Sequence, residues 1–386
     1  MPACAQNRSV ALMYAMAFLQ GMVFYGPVAT LYRTDAGLSM GQISLIETVY
    51  YLLVVALEVP LGALCARLGY RRMLIAAAAL YFASKVLFWQ ADAFAAFLAE
   101  RVLLAAVCAG LSGCDDAYLY LAAGPENAQK ALGRYAAWGE AGLLAASGLY
   151  TACLAGRYRA AALWTAVAYG AAALCALGLG DVPMTREDRA GLPAQLQGVW
   201  HNLKANPGFA RVLVADGLLG LCGQMVTVFF SQLLYLRAGL PDAALGALYI
   251  AMVLAGLSGA WSHRAGRLMG RAFGPALCAA AAAGCLLAGF AVSPALCAAG
   301  VFLVQVAWRL WGPYSMRLQN DNVTRWGGAR SVVLSGYSMA VSLFSSALSP
   351  ALGGLADASL TAALALAGGL CLAAGALMAA FARTRA

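Results

Sequence analysis

Long apolar blocks, broken at charges, prolines and glycines, follow one another along this chain from residue 10 to residue 382. A bilayer core takes about 20 predominantly apolar residues per crossing helix. Cutting at the polar breaks leaves blocks of that size near residues 10–32, 41–65, 73–92, 95–121, 132–156 and 160–180. A second set follows near 210–236, 243–262, 274–291, 295–319, 330–356 and 360–382. The pattern predicts an all-α membrane protein with twelve transmembrane helices. The first block begins after Arg8; it is too long for the core of a signal peptide and has no clear cleavage site, so it reads as a retained span.

Composition strengthens that reading. Of 386 residues, 63% are hydrophobic and 11% are charged, roughly half the charged share of a soluble domain, so the chain cannot cover itself with polar surface in water. The eleven cysteines lie mostly inside apolar blocks, with no CxxC pair and no histidine at metal-ligand spacing. They read as small buried hydrophobes, and neither a metal nor a cofactor is expected.

A net charge of +9 raises nucleic acid as a partner, but the basic residues sit in short loops between apolar blocks, which points to a lipid bilayer instead. Lys and Arg excess in short loops marks the cytoplasmic side. With both termini cytoplasmic, eighteen basic residues fall in inner segments and four (Arg33, Arg157, Arg159, Arg237) outside; Lys85, Arg101 and Arg309 lie within spans. That asymmetry places a multi-pass protein in a bacterial inner membrane with its termini in the cytoplasm.

The longest polar stretch, Asp181 to Arg211, carries Leu196, Trp200 and Leu203 at helical spacing. This suits either a helix lying on the membrane surface or an unstructured linker. The flanking halves repeat weakly: Ala36-Gly37-Leu38 closes the first block as Ala238-Gly239-Leu240 closes the seventh. The expected organisation is an N-terminal six-helix half (1–180), a linker with an amphipathic helix (181–208) and a C-terminal six-helix half (209–386), related by a pseudo-twofold axis.

The second block ends Glu58-Val-Pro-Leu-Gly62, followed by Arg67-Leu68-Gly69-Tyr70-Arg71-Arg72. This resembles the loop signature of the major facilitator superfamily, with Ala66 where the family carries an acid. Gly259 to Arg267 is a degenerate second copy, and Arg330-Ser-Val-Val-Leu-Ser335 is similar to the stretch opening helix eleven in prokaryotic efflux-type members. The resemblance covers essentially the whole chain. It implies that helices one, four, seven and ten line a cavity and that two, five, eight and eleven gate it.

On that map the candidates for substrate contact are Gln20 and Tyr25 in span one, Arg101 and Asp115 in span four, Gln224 and Thr227 in span seven, and Gln305 and Arg309 in span ten. Arg101 and Asp115, fourteen residues apart, would fall about 40° apart on one unbroken helix face. Arg309, flanked by Trp308 and Trp311, is a mid-span cation that either meets an anionic substrate group or pairs with a carboxylate. Asp115, Glu140 and Asp216 are candidates for carrying a coupling proton, because desolvation favours the neutral carboxyl. Glu58, Gly62, Arg67, Gly69, Arg71, Asp116 and Arg330 are gating candidates, with Arg330 expected to meet Glu58 or Asp116. Lys85 is expected to pair with Glu47 or Glu100.

The first functional expectation is a secondary transporter working by alternating access, exporting small amphipathic molecules against protons and acting as a monomer. Uptake or facilitated diffusion of a polar or anionic metabolite is the alternative. An enzyme finds little support: there is no HExxH, no GxSxG and no phosphate loop, and both histidines, His201 and His263, fall in polar segments. A non-transporting sensor on the same fold is the remaining reading.

Overall fold

A computed structural model describes residues 3–112, 114–124, 126–182, 192–326 and 330–384. The described residues are helical nearly throughout. In chain order the helices are α1 (Ala3–Gly21), α2 (Ala29–Asp35), α3 (Met40–Leu68), α4 (Tyr70–Gln90), α5 (Phe94–Leu111), α6 (Cys114–Ala123), α7 (Ala128–Leu149) and α8 (Tyr158–Leu177). They continue as α9 (Leu192–Ala205), α10 (Ala210–Gln224), α11 (Ser231–Arg237), α12 (Asp242–Gly256), α13 (Ser262–Met269), α14 (Phe273–Gly289), α15 (Pro294–Trp326), α16 (Arg330–Ala358) and α17 (Leu360–Thr384).

Among the described residues, ten runs are long and apolar enough to cross a membrane. One of them, Asp242–Gly289, contains both the eighth and the ninth expected spans; the fifth, built on α7, is not among the ten. Five expected spans are not single α-helices: the fifth ends in a π-helical turn at Tyr150–Leu154 and the eighth in a 3-10 turn at Leu257–Trp261. Span one breaks between Gly21 and Gly26, span four breaks at Ser112, whose ψ of 99° leaves the helical range, and span seven passes through a wide π-helical turn at Met225–Phe230.

Local chemistry sets several helix starts. Ser39 Oγ accepts from Gln42 N at 3.2 Å while Gln42 Oε1 accepts from Ser39 N at 3.0 Å, a reciprocal cap opening α3. Ser293 and Ser359 cap α15 and α17 in the simpler way. Between α3 and α4 the chain turns on Gly69, whose φ of 84° suits only glycine.

The chain divides into two compact units. Unit 1 is Met1–Leu38, Val49–Arg189 and Asp242–Ala247; unit 2 is Ser39–Thr48, Ala190–Pro241 and Leu248–Ala386. In unit 1, α4 packs on α5 and α8, and α1 packs on α7 and α8. The α1–α7 approach is close enough that a side chain on Gly142 would meet the Phe18 carbonyl, the kind of small-residue seam that lets membrane helices touch backbone to backbone. In unit 2, α14 packs on α15 and α17, and α10 on α16 and α17. The amphipathic helix expected in the linker is α9. It is fixed to unit 2 by Asn202, fully buried, which accepts from Asn322 Nδ2 at 2.6 Å and from the Tyr337 hydroxyl.

Candidate functional site

In unit 2, α10 and α15 meet along two tryptophans three residues apart. The Trp308 ring lies directly on Gly223, where any side chain would displace it. One turn on, Trp311 is fully buried and donates its indole N–H to Asp216 Oδ1 at 2.6 Å. Gln319 Nε2 donates to the other oxygen at 2.9 Å and to Ser315 Oγ at 3.2 Å. Asp216 therefore has both oxygens held by neutral donors, and among the described residues no cation lies within ion-pair distance of it.

Because the two tryptophans turn toward α10, Arg309 turns elsewhere, against Gly256 of α12. It is exposed, lies 5.2 Å from the Trp308 ring centroid, and forms no ion pair among the described residues. One turn before it, Gln305 is buried and donates to the Met252 carbonyl at 3.1 Å, leaving its side-chain oxygen buried and unmatched. Arg309 and Gln305 thus place an exposed guanidinium and a buried, unmatched acceptor on adjacent turns of one helix.

Unit 1 holds a different kind of polar cluster. Lys85 Nζ donates to the Tyr25 hydroxyl at 3.0 Å and lies 3.5 Å from Glu100 Oε1. The rings of Tyr25, Tyr81 and Tyr169 stand 5.4 to 5.7 Å from the ammonium, so cation–π attraction replaces part of its lost hydration. Arg101 lies 3.6 Å from Glu100 Oε2 and over the Tyr50 ring. Lys85 pairs with Glu100, as one of the two sequence alternatives held.

Several sequence expectations are corrected by this geometry. Arg101 and Asp115 do not share one helix face, because the break at Ser112 separates α5 from α6 and resets the helical phase. Tyr25 is not a free cavity residue: the break in span one lets it stack on Phe88 at 4.2 Å and bond Lys85. Thr227 is buried and donates to the carbonyl of Gly223 within its own helix. Glu140 is exposed on α7, whereas its neighbours Gly139 and Gly142 pack on α1.

The other candidates are placed as follows. Gln20 and Gln224 are half-buried, the former receiving the Tyr169 hydroxyl on its backbone carbonyl at 2.7 Å. Asp115 is half-buried and accepts from its neighbour's N–H and from Tyr135 at 3.4 Å, while Asp116 is exposed. Glu58 and Gly62 are half-buried, Arg67 is exposed, and Arg71 pairs with Asp181 at 3.3 Å. The Arg330 side chain, and with it the expected contact to Glu58 or Asp116, lies outside the described residues. Among the described residues no group of three or more His, Cys, Asp or Glu could hold a metal ion.

Trp311, Gln319 and the Asn202–Asn322–Tyr337 cluster were not singled out as site residues by the sequence. The one signal for Trp311 was its place beside Arg309.

The sequence model of the Major Facilitator Superfamily matches residues 10–325. The chain belongs to the Major Facilitator Superfamily. It is a multi-pass membrane transporter, not an enzyme, and the all-α fold is that of the superfamily. The nucleoside transporter NupG is similar at a TM-score of 0.76 and 13% identity, covering 99% of each chain. A bacterial homologue of the human lysosomal transporter Spinster is similar at 0.71 and 15%, over 100% of this chain and 97% of that one. The human organic anion transporter MFSD10 is similar at 0.62 and 14%, over 97% and 99%. No curated protein matches the sequence.

Proposed function

We propose that this superfamily member is a proton-coupled secondary transporter that exports small amphipathic molecules by alternating access. The observation that carries the coupling is Asp216: a carboxylate within a span, bonded only by neutral donors on a helix expected to line the cavity. Such a group can hold or lose a proton without breaking an ion pair. When it is neutral, the Trp311 and Gln319 bonds weaken and α10 is freer to shift against α15. When it is charged, both donors hold it. Trp308 and the apolar surfaces around it supply contact for the hydrophobic part of a substrate.

In this reading the protein is a monomer in a bacterial inner membrane with both termini in the cytoplasm, as the distribution of arginines favours. Residues 1–180 and 209–386 act as the two moving halves, joined by 181–208. Gln20, Arg101, Asp115, Gln224, Gln305 and Arg309 are the remaining substrate candidates. Glu58, Gly62, Arg67, Gly69, Arg71, Asp116 and Arg330 are the gating candidates.

A second reading has its own support. Arg309 is an exposed mid-span cation without a carboxylate partner among the described residues, which favours an anionic metabolite taken up or diffusing down its gradient. Liposomes carrying the purified protein separate the two. Export predicts accumulation of lipophilic dyes driven by an imposed pH gradient, abolished in Asp216→Asn while dye counterflow persists. Undiminished pH-driven transport in that variant overturns the role of Asp216. Dye-independent counterflow of acidic metabolites alone selects the second reading.

A further inference from the structure

Beginning about one turn along α15 from Arg309, unit 2 carries a second built feature at its arginine-rich end. α13 is short and strongly two-sided: Arg264 and Arg267 are exposed on it, and Leu268 and Met269 beside them are 88% and 46% exposed. A cavity of about 560 Å³ opens between α13, α15 and α17, with His263, Arg271, Tyr314, Arg317 and Asp321 in its wall. A second cleft of about 390 Å³ runs between α14 and α17. Its floor is Pro275, Ala379 and Ala382, and its rim is Arg271 and Arg383. Arg271 and Ala382 belong to both.

The two clefts differ in chemistry in a directed way. The first is cationic: of its charged walls only Asp321 is acidic, and that carboxylate is 3.7 Å from Arg317. Neither Arg271 nor Arg383 has an ion-pair partner among the described residues. The second is an apolar groove between two membrane-spanning helices. A free inorganic anion would satisfy Arg271 but gain nothing from Pro275, Ala379 and Ala382. An amphiphile with a phosphate head and a hydrocarbon tail uses both, and basic pockets at the ends of spanning helices suit such headgroups. Leu268 and Met269, standing out beside the arginines, match the headgroup boundary of a bilayer, where apolar side chains dip in and arginines stay at the phosphates.

We propose that Arg271 is the saddle of a binding site for one anionic phospholipid, its phosphate held between Arg271, Arg317 and Arg383 and one acyl chain lying in the groove between α14 and α17. The assignment to the cytoplasmic leaflet rests on the orientation proposed above; the site itself does not. The site is tied to the transport helix: Ser262, opening α13, donates to the Leu310 carbonyl at 2.6 Å, the residue following Arg309.

The test uses full-length protein in nanodiscs of phosphatidylcholine with or without phosphatidylglycerol, read by retained lipid in native mass spectrometry and by thermal shift. Wild-type protein is expected to retain phosphatidylglycerol and to melt higher in its presence. Arg271→Gln should weaken that retention about five- to tenfold, the loss of one arginine contact at the membrane surface. Ala379→Trp, which fills the groove and leaves every arginine in place, should lose lipid as well. Equal retention by Arg271→Gln and wild type overturns the proposal. So does an equal thermal shift with inorganic phosphate in phosphatidylcholine alone, which would leave a site for free anions only. Asp216→Asn is expected to keep phosphatidylglycerol, and Arg271→Gln to keep its response to a pH gradient, so failure of the lipid site and failure of the coupling site are separately visible.

Discussion

Trp311 Nε1 donates to Asp216 Oδ1 across 2.6 Å from two residues beyond Arg309 on α15. The carboxylate proposed to take the proton and the arginine proposed to meet the substrate are thus mounted on, or bonded to, the same helix. A hydrogen bond to a charged acceptor contributes about 1.5 to 3 kcal/mol, and about 1.4 kcal/mol corresponds to one pH unit. Trp311→Phe removes a donor that stabilises the charged form, so the neutral form persists to higher pH. The alkaline limb of the transport–pH profile should move up by about one to two units in proteoliposomes. A limb that stays in place, in protein with unchanged counterflow, counts against Asp216 as the titrating group.

The Lys85–Glu100 pair is structural on the geometry above, enclosed by three tyrosines and nearly inaccessible. Breaking a buried pair from one side strands a charge at a cost of about 3 to 5 kcal/mol, whereas removing both partners costs far less. Lys85→Met strips the ammonium from Glu100 Oε1 and leaves Arg101 beside Oε2, so it should lower the melting temperature of detergent-solubilised protein by part of that cost. Lys85→Met combined with Glu100→Gln should restore most of it. Loss of transport in the double variant despite restored stability would move this pair from scaffold to mechanism.

Hydropathy and loop charge were enough to read the spans and the family's loop signature, because both are local properties of the chain. The breaks were not legible. Ser112, beside Gly113, interrupts span four and Met22 to Tyr25, ahead of Gly26-Pro27, interrupt span one. Glycine and proline alone do not mark a break, because Pro60 and Pro313 stand inside continuous helices, and what stabilises the irregular backbone is partner contact from other helices. Phe24 N, for example, donates to Thr165 Oγ1 at 2.9 Å, 141 residues away. The same holds for the site. Asp216 was visible as a carboxylate in a span, but its donors lie 95 and 103 residues later, and only tertiary packing brings them to it. For Glu140, depth along a helix was legible but facing was not: the glycines beside it, Gly139 and Gly142, take the packing on α1 and turn the carboxylate away from that contact.

Asn322 bridges α9 to α15 and α16 through Asn202 and Tyr337, and a further bond runs from Asn206 Nδ2 to Asn322 Oδ1 at 2.7 Å. Asn322→Ala removes one hydrogen bond from each of Asn202 and Asn206, while Asn202 keeps the Tyr337 hydroxyl, at a cost of about 0.5 to 1.5 kcal/mol per bond. Amide hydrogen exchange across Leu192–Ala205 should accelerate about ten- to a hundredfold while exchange in α14 is unchanged. Uniform acceleration through unit 2 would show instead that α9 and the bundle open together.

Arg309 decides between the two substrate readings, because its guanidinium is exposed and without an ion-pair partner among the described residues. If it binds an acidic group of the substrate, Arg309→Gln removes a charge-assisted contact made in both the resting and the moving complex. KM for acidic substrates should then rise about ten- to a hundredfold with kcat nearly constant. Arg309→Lys keeps the charge but loses the planar fork, so it should recover part of the affinity and not all of it. Neutral and cationic amphiphiles should be transported by Arg309→Gln as by wild type. A variant that loses every substrate equally, with kcat falling and KM unmoved, would place Arg309 in the conformational cycle and withdraw the anionic reading.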